Sequence, residues 1–278
     1  MKIELPELSL VVLVGPSGAG KSTFARAHFR QTEVISSDHC RALVSDDENS
    51  QAATDDAFDL LHYIAGKRLK NGLLTVVDAT NVHQEDRIKY VRLAREHHCL
   101  PVAIVLNLPE RVCQDRNATR ADRDFGAHVI RAQRAAMRRG IGRGAARLRR
   151  EGFRHVWLLD SEDKVRDVAV ERTRLWNNRK HEHGPFDIVG DVHGCFDELT
   201  DLLQSLKYRI ERSEGAQEGD WPIAPPPDEP ARRILFLGDL VDRGPKSPAV
   251  LRLVMRAVRE GRALCVPGNH DVKLMRKL

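Results

Sequence analysis

"GPSGAGKST", residues 15–23, decides how the first half of this chain is read. It fits G-x-x-x-x-G-K-[ST], with Gly15, Gly20, Lys21 and Ser22 in the defining positions. Glycines let the backbone curl so that successive N–H groups converge on phosphate oxygens. A helix starting directly afterwards adds the positive end of its dipole. Ser17, Gly18 and Thr23 complete the expected cradle, Lys21 reaches for the β- and γ-phosphates, and Ser22 is placed to ligate Mg²⁺. The motif has force only between a strand and a helix. "LVVLV" (10–14) supplies the strand, as a continuous apolar run suited to burial on both faces, and helical sequence begins near Lys21. ATP and Mg²⁺ are the expected ligands.

Working outward, strands are expected at 33–38, 73–80, 101–108 and 154–160, with helices at about 55–72, 84–98 and from Pro109-Glu110 onward. That alternation predicts an α/β fold, a P-loop NTPase-type parallel sheet with flanking helices. A polar stretch ending in Gly184-Pro185 reads as a boundary. The expected division is a first domain at 1–172, a linker at 173–185 and a second domain at 186–278. In the second, strands at 186–191, 233–239 and 263–269 alternate with helices at 196–207 and 247–260. The Pro- and Gly-rich stretch 214–231 reads as loop.

A phosphate loop binds a nucleotide without naming its acceptor. "SSDHCR" (36–41) places Asp38 at the expected carboxyl end of a strand, where parallel sheets open their ligand crevice. An acid there can take the proton of an attacking hydroxyl, and Arg41, three residues on, can hold a substrate phosphate. The plainer alternative is that Asp38 caps the next helix. Asp78, ending "VVD" (76–78), is either a second Mg²⁺-side acid or a strand-end cap, and Asn81 is a candidate for the same crevice.

Charge is concentrated in one place. Residues 111–154 hold thirteen Arg and no Lys against four acids, a local net of +9, while the whole chain carries +5. Such a block suits a polyanionic partner, or simply a solvated helical face. Arg116 and Arg120 are spaced i, i+4 on one expected helix face, and Arg123 follows in an acidic turn. Guanidinium groups on a lid can stabilise the charge that builds during phosphoryl transfer. Arg131, Arg134 and Arg138 recur on the next helix as a phosphate track or a wet face.

Three motifs follow in the second half, each after a strand: "GDVHG" (190–194), "GDLVDRG" (238–244) and "GNHD" (268–271). Asp191, His193, Asp239 and Asn269 are hard oxygen and nitrogen donors suited to Mn²⁺, iron or Ni²⁺. Asp239 can bridge two ions, Arg243 can clamp a phosphoryl group, and His270 can protonate a leaving oxygen.

The set G-x-x-G-x-G-K-S-T, S-D-x-x-R and R-x-x-x-R-x-x-R-x-F-G resembles the kinase domain of bacterial polynucleotide kinase-phosphatases, over roughly residues 7–170. That resemblance implies ATP-dependent phosphorylation of RNA or DNA 5′-hydroxyl ends. It casts Asp38 as general base, Arg41 as an acceptor-side phosphate ligand, and Arg116 and Arg120 as lid residues on the ATP phosphates. The second set of motifs is similar to the calcineurin-like metallophosphoesterase superfamily, the domain that follows the kinase in that family. Its further His ligands would come from loops after G-N-H-D, so the resemblance implies a truncated binuclear-metal 3′-phosphatase domain, expected to be inactive in this chain. The resemblance also raises a kinase-domain homodimer and an RNA-modifying partner protein as expectations. A kinase of a small metabolite, and a nucleotide- or RNA-binding regulator with vestigial sites, stand as the other readings.

Five scattered Cys without C-x-x-C spacing imply neither a zinc site nor a disulfide framework. With no signal-peptide pattern and no apolar run of membrane-helix length, the expectation is a cytoplasmic protein without a membrane partner.

Overall fold

The apolar run at 10–14 forms the middle strand of a five-stranded sheet. The computed structural model describes residues 1–119, 126–142, 144–212 and 215–278, and the chain divides into two units, Met1–Asn178 and Arg179–Leu278. In chain order the first unit contains β1 (Lys2–Pro6), β2 (Ser9–Val14), α1 (Lys21–His28), β3 (Val34–Ser36), α2 (Ser37–Ser45), α3 (Thr54–Lys70), β4 (Thr75–Asp78) and α4 (Gln84–Glu96). It continues with β5 (Leu100–Leu106), α5 (Glu110–Ala118), α6 (Ala127–Ile141), α7 (Ala146–Glu151), β6 (His155–Leu159), α8 (Glu162–Asp167) and β7 (Ala169–Thr173).

The sheet order is β3-β4-β2-β5-β6, and every pairing is parallel. All six residues of β2 are buried. Its alternation sends Leu10, Val12 and Val14 into a core with Leu61, Ala65, Tyr90 and Met137 of α3, α4 and α6. Val11 and Leu13 enter the opposite core with Phe24 of α1, Cys113 of α5 and Ile130 of α6. Each such Val or Leu contributes about 1.5–3 kcal/mol by burial, so Val12→Asp would leave an unpaired carboxylate in the sheet's centre. The chain moves from β2 to one side and crosses to β5 on the other. The phosphate loop therefore leaves the sheet where its strand order reverses, the crevice-forming position of such sheets.

A buried ion pair anchors one corner. Arg87 on α4 is fully buried. It donates to both oxygens of Glu151 on α7, at 2.8 and 2.7 Å, and to the carbonyls of Asn81 (3.0 Å) and Val82 (2.9 Å). One of the four acids of the arginine-rich block is thus consumed internally.

Two local expectations are corrected. Asp38 does not end a strand: β3 stops at Ser36, which caps α2, and Asp38 lies in that helix's first turn. The short polar run Ser36-Ser37 offers the backbone a cap earlier than the strand expectation allowed. Strands β1 and β7 pair in parallel, although neither was expected. Ile3 and Leu5 supply the burial, while β7 is polar and mostly exposed, so it carries no apolar run to read. Glu33, just before β3, binds Arg172 of β7 through two contacts of 2.8 and 2.6 Å. Burial pushes its carboxyl upward, but the Arg172 hydrogen bonds and charge outweigh this and hold it below the usual range.

The second unit contains β8 (Phe186–Val189), α9 (Phe196–Ser205), β9 (Arg209–Ile210), β10 (Ile223–Ala224), β11 (Arg233–Phe236), α10 (Ser247–Arg259), β12 (Ala263–Cys265) and α11 (Asn269–Met275). Its parallel sheet has the order β12-β11-β8. Helices α9 and α10 bury Leu199, Leu203, Val250, Leu253 and Val254 against Ile234 and Phe236. The stretch expected to be loop contains β10, paired antiparallel with β9. It is tied to α10 by Arg252, which donates to the Glu218 carbonyl at 2.8 Å, and by Arg256, which contacts Asp220 at 3.0 Å. No helix among the described residues is long and apolar enough to cross a membrane.

Candidate functional site

In the first unit, the loop after β2 borders a cavity of about 1080 Å³ lined by Ser17, Gly18, Gly20, Lys21, Ser22 and Thr23. At the start of the loop, the Gly15 N–H donates to the Thr80 carbonyl at 2.9 Å. Gly18 has φ +76°, and a Cβ there would stand 2.1 Å from the Cys113 carbonyl oxygen. Only glycine combines that backbone with such a close approach to α5. Lys21 is buried, and its ammonium donates to the Pro16 carbonyl at 2.9 Å. It folds back over the loop whose ligand it is expected to meet.

The same cavity is lined by Asp38, Arg41, Asp78 and Arg116. Asp38 and Arg41 face each other at 3.0 Å, and Arg41 also donates to the Glu48 carbonyl at 2.9 Å. The Arg41 Nε is buried without a partner, an orphan donor close to the cavity. Asp78 sits at the end of β4, directly beside β2, and is 6% exposed. Arg116 on α5 reaches across the loop: its Nη1 is 3.2 Å from where a Gly20 Cβ would be. Its Nη2 bonds Glu162 of α8 at 2.6 Å. Arg120 and Arg123 lie outside the described residues.

Other sequence candidates separate here. Asn81 does not line the cavity. It is buried, has φ +49°, and donates to the Leu13 carbonyl at 2.7 Å, so it locks the β4 exit to the end of β2. Arg134 does not join Arg131 and Arg138 on an exposed face. It is 9% exposed and donates to the Leu108 carbonyl, while Arg131 pairs with Glu110 at 3.5 Å. A residue not singled out from sequence is Gln133 on α6, whose Oε1 accepts from the Ser17 N–H at 2.8 Å within the same cavity lining. A lone Gln in a helix carries no signal without the fold.

In the second unit, His193, Asp239 and His270 bring ligand atoms within 4.8 Å of one another. The three loops that hold them interlock. His193 N–H donates to the Asp239 carbonyl at 2.8 Å, and His270 N–H donates to Asp239 Oδ1 at 3.0 Å. Asp271 accepts from the N–H groups of Leu240 and Gly268, each at 2.9 Å, which clamps "GNHD" to "GDLVDRG". Gly268 has no room for a side chain, since a Cβ would lie 2.1 Å from Asp239 Oδ1. His193, Asp239, Asp242 and Arg243 all have positive φ, between 46° and 69°. Non-glycine residues hold that conformation only where surrounding contacts impose it, commonly at functional sites.

The donor set suits a divalent cation. His193 Nδ1 lies 3.0 Å from the Val241 carbonyl, which can only accept, so Nδ1 carries the proton and Nε2 has a free lone pair. That Nε2 is buried and lacks a hydrogen-bond partner. The Asp191 carboxylate stands 3.6 Å away and is 68% exposed. His270 stands within this group, and its Nδ1 donates to Asp242 Oδ2 at 2.7 Å, which leaves Nε2 as the nitrogen for either a metal or a leaving oxygen. That hydrogen bond is the main reason the Asp242 carboxyl lies below its ordinary range. Asp242 was visible in "GDLVDRG" but had no assigned role. Asn269 and Arg243 are exposed at the same loops.

Comparison with known proteins gives two separate matches. Residues 10–142 match a family model described as an AAA domain, and residues 184–277 match one described as calcineurin-like phosphoesterase. The bis(5′-nucleosyl)-tetraphosphatase PrpE (asymmetrical) of Bacillus subtilis is 44% identical over 93 residues, 34% of this chain and 34% of that protein. Its counterpart in Halalkalibacterium halodurans is 48% identical over 92 residues, 33% of this chain and 32% of the relative. The chain thus spans about a third of the length of these curated relatives. Among solved structures, the Pnkp1/Rnl/Hen1 RNA repair complex aligns over 96% of this chain and 81% of that chain, with 14% identity and a TM-score of 0.44. The Mycobacterium tuberculosis APS kinase CysC, in complex with AMPPNP and APS, aligns over 41% of this chain and 70% of that chain, with 22% identity and a TM-score of 0.34. The α/β class expected from sequence holds: a parallel phosphate-loop sheet with flanking helices matches the AAA domain model, and the second parallel α/β unit matches the calcineurin-like phosphoesterase model.

Proposed function

We propose that the first unit transfers the γ-phosphoryl group of ATP to the 5′-hydroxyl of a polynucleotide, an RNA end in the first instance. One observation carries this reading: the phosphate loop, the Asp38–Arg41 pair and Arg116 share a single cavity. The loop N–H groups and the start of α1 hold the donor phosphates, with Lys21 turning from the Pro16 carbonyl onto them. Ser22 and Asp78 would hold Mg²⁺, which neutralises phosphate charge when bound. Asp38 takes the proton of the acceptor hydroxyl as its oxygen bonds the γ-phosphorus and the bond to the β-phosphate oxygen breaks, releasing ADP. Arg41 orients Asp38 and holds an acceptor phosphate. Arg116, with Arg120 and Arg123 by resemblance, stabilises the charge on the transferring group. The test is transfer of radiolabel from ATP to a 5′-hydroxyl oligoribonucleotide, with a sugar or nucleoside as the competing acceptor class. Asp38→Ala should abolish transfer while ATP still binds, and persistent transfer sinks the base assignment.

The second unit is read as part of a metal-dependent phosphoesterase. Asp191, His193, Asp239 and Asn269 would hold Mn²⁺ or Ni²⁺, with Arg243 on the phosphoryl group and His270 as proton donor to the leaving oxygen. The sequence resemblance points to a polynucleotide 3′-phosphate. The 44% identity to a bis(5′-nucleosyl)-tetraphosphatase favours a second substrate class, a dinucleoside polyphosphate. Release of phosphate from an RNA 3′-phosphate, measured against cleavage of diadenosine tetraphosphate with added Mn²⁺, decides between them, and turnover of neither is the outcome expected of an inactive domain.

A further inference from the structure

The arginine-rich block does not form one track. Arg134 turns inward to the Leu108 carbonyl, Arg116 goes to the reaction cavity, and Arg111 and Arg131 meet Asp115 and Glu110. Of the other described arginines of the block, Arg139 near the end of α6 and Arg147 on α7 meet at one place. Together with His83, Gln84 and Gly140 they line a separate cleft of about 190 Å³. Arg147 Nη1 donates to the Arg139 carbonyl at 2.7 Å, which draws the two residues together. Among the described residues no carboxylate pairs with either guanidinium, and neither Glu85 nor Asp86, at the start of α4, lines the cleft.

The cleft is held by buried structure. Arg87 bonds the Asn81 and Val82 carbonyls on one side and Glu151 of α7 on the other, so α7 and the segment entering α4 are fixed together. Gly140 packs against the same group: a Cβ there would be 3.3 Å from Arg87 Nη2 and 3.4 Å from the Val82 carbonyl. Glycine lets α6 lie close enough to bring Arg139 beside Arg147.

The cleft and the reaction cavity are lined by neighbouring stretches of the same two segments. Asp78, Ala79 and Thr80 line the cavity, and Val82, His83 and Gln84 line the cleft. On α6, Val129 and Gln133 line the cavity, while Ala136, Arg139 and Gly140 line the cleft. Seven residues from Gln133 to Gly140 span about 10 Å of helix. A strand with its 5′ end in the cavity would have its next few phosphates within that reach.

Building on the polynucleotide reading, we propose that the Arg139–Arg147 cleft is a second anion site that holds an internal backbone phosphate of the acceptor strand. The contact is to phosphate, so it adds affinity for longer acceptors without reading sequence. It is distinct from the Arg41 position, which lies in the cavity with Asp38.

The test compares Arg139→Glu and, separately, Arg147→Glu with wild type on a 5′-hydroxyl dinucleotide and octanucleotide, after thermal melts confirm folding. For the octanucleotide, KM should rise about tenfold and the slope of log affinity against log salt should weaken by about one. The dinucleotide KM and both kcat values should stay as in wild type. Equal effects on both lengths, or none on the octanucleotide, overturn the inference. Fluorescence anisotropy of a labelled octanucleotide separates this inference from the kinase reading. Wild-type binding that Arg139→Glu weakens, without phosphate transfer, rejects the kinase and keeps the cleft. Absent wild-type binding, or equal binding by variant and wild type, rejects the cleft.

Discussion

On the proposed reading Arg116 serves the ATP phosphates, and its Nη2 bond to Glu162 competes with them, so Glu162→Gln should tighten ATP binding. The contact is short, 2.6 Å, yet the side chains are 41% and 53% exposed. Water screens such a pair, and exposed ion pairs are worth roughly 0.2–1 kcal/mol. Releasing Arg116 therefore recovers that amount, a fall in Kd of about 1.4- to fivefold at low salt. The gain should fade as ionic strength rises, because the competing pair is itself screened. Equilibrium titration with a fluorescent ATP analogue and Mg²⁺ measures this without any acceptor. Arg116→Ala and the double variant complete a cycle, in which Glu162→Gln has no benefit once Arg116 is gone. A weaker Kd in Glu162→Gln, or the same benefit in the Arg116→Ala background, would refute the competition.

Three further outcomes follow from geometry. Glu151→Gln leaves the fully buried Arg87 charge poorly compensated and should cost about 3–5 kcal/mol in urea unfolding of the first unit, whereas Arg87→Met with Glu151→Leu should cost far less; Trp157 reports that unit when Trp221 and the exposed Trp176 are replaced by Phe. The Glu33 carboxyl is held low, so the Glu33–Arg172 contribution is fully present above the unfolded value of about 4.3 and is lost as pH falls through the folded value. Melting temperatures of wild type and Glu33→Gln should therefore differ at neutral pH and converge in acid. Gln133→Glu keeps an acceptor for the Ser17 N–H but adds a negative charge to the cavity, so it should raise the KM for ATP more than Gln133→Ala does, with both variants folding normally. If the alanine variant is the worse of the two, Gln133 acts chiefly by holding the loop.

Much of the fold could be read in advance because its signals are local. "LVVLV" is buried on both faces by its own composition, and the phosphate loop needs only its glycines, Lys21 and Ser22 in fixed spacing. "GDVHG", "GDLVDRG" and "GNHD" were likewise legible, since each loop carries its own donors. The failures share a cause. Strand β7 is polar and mostly exposed, and it pairs with β1, whose Ile3 and Leu5 carry the burial, more than 160 positions away in sequence. Arg134 resembles its neighbours Arg131 and Arg138 in sequence, and only helix packing turns it toward Leu108.

The sequence alone determined which residue chemistries are present: a phosphate-loop motif, an acid and an arginine three residues apart, closely spaced arginines and a set of hard metal donors. It could do so because each is set by residue type and short spacing. Tertiary structure alone decided which of them meet. It put Asp38 on a helix turn facing Arg41, drew Gln133 onto the phosphate loop, and joined His270 to His193 and Asp239. It also brought Arg139 and Arg147 to one cleft. These are contacts between distant segments, set by sheet order and close backbone approach, and no local pattern encodes them.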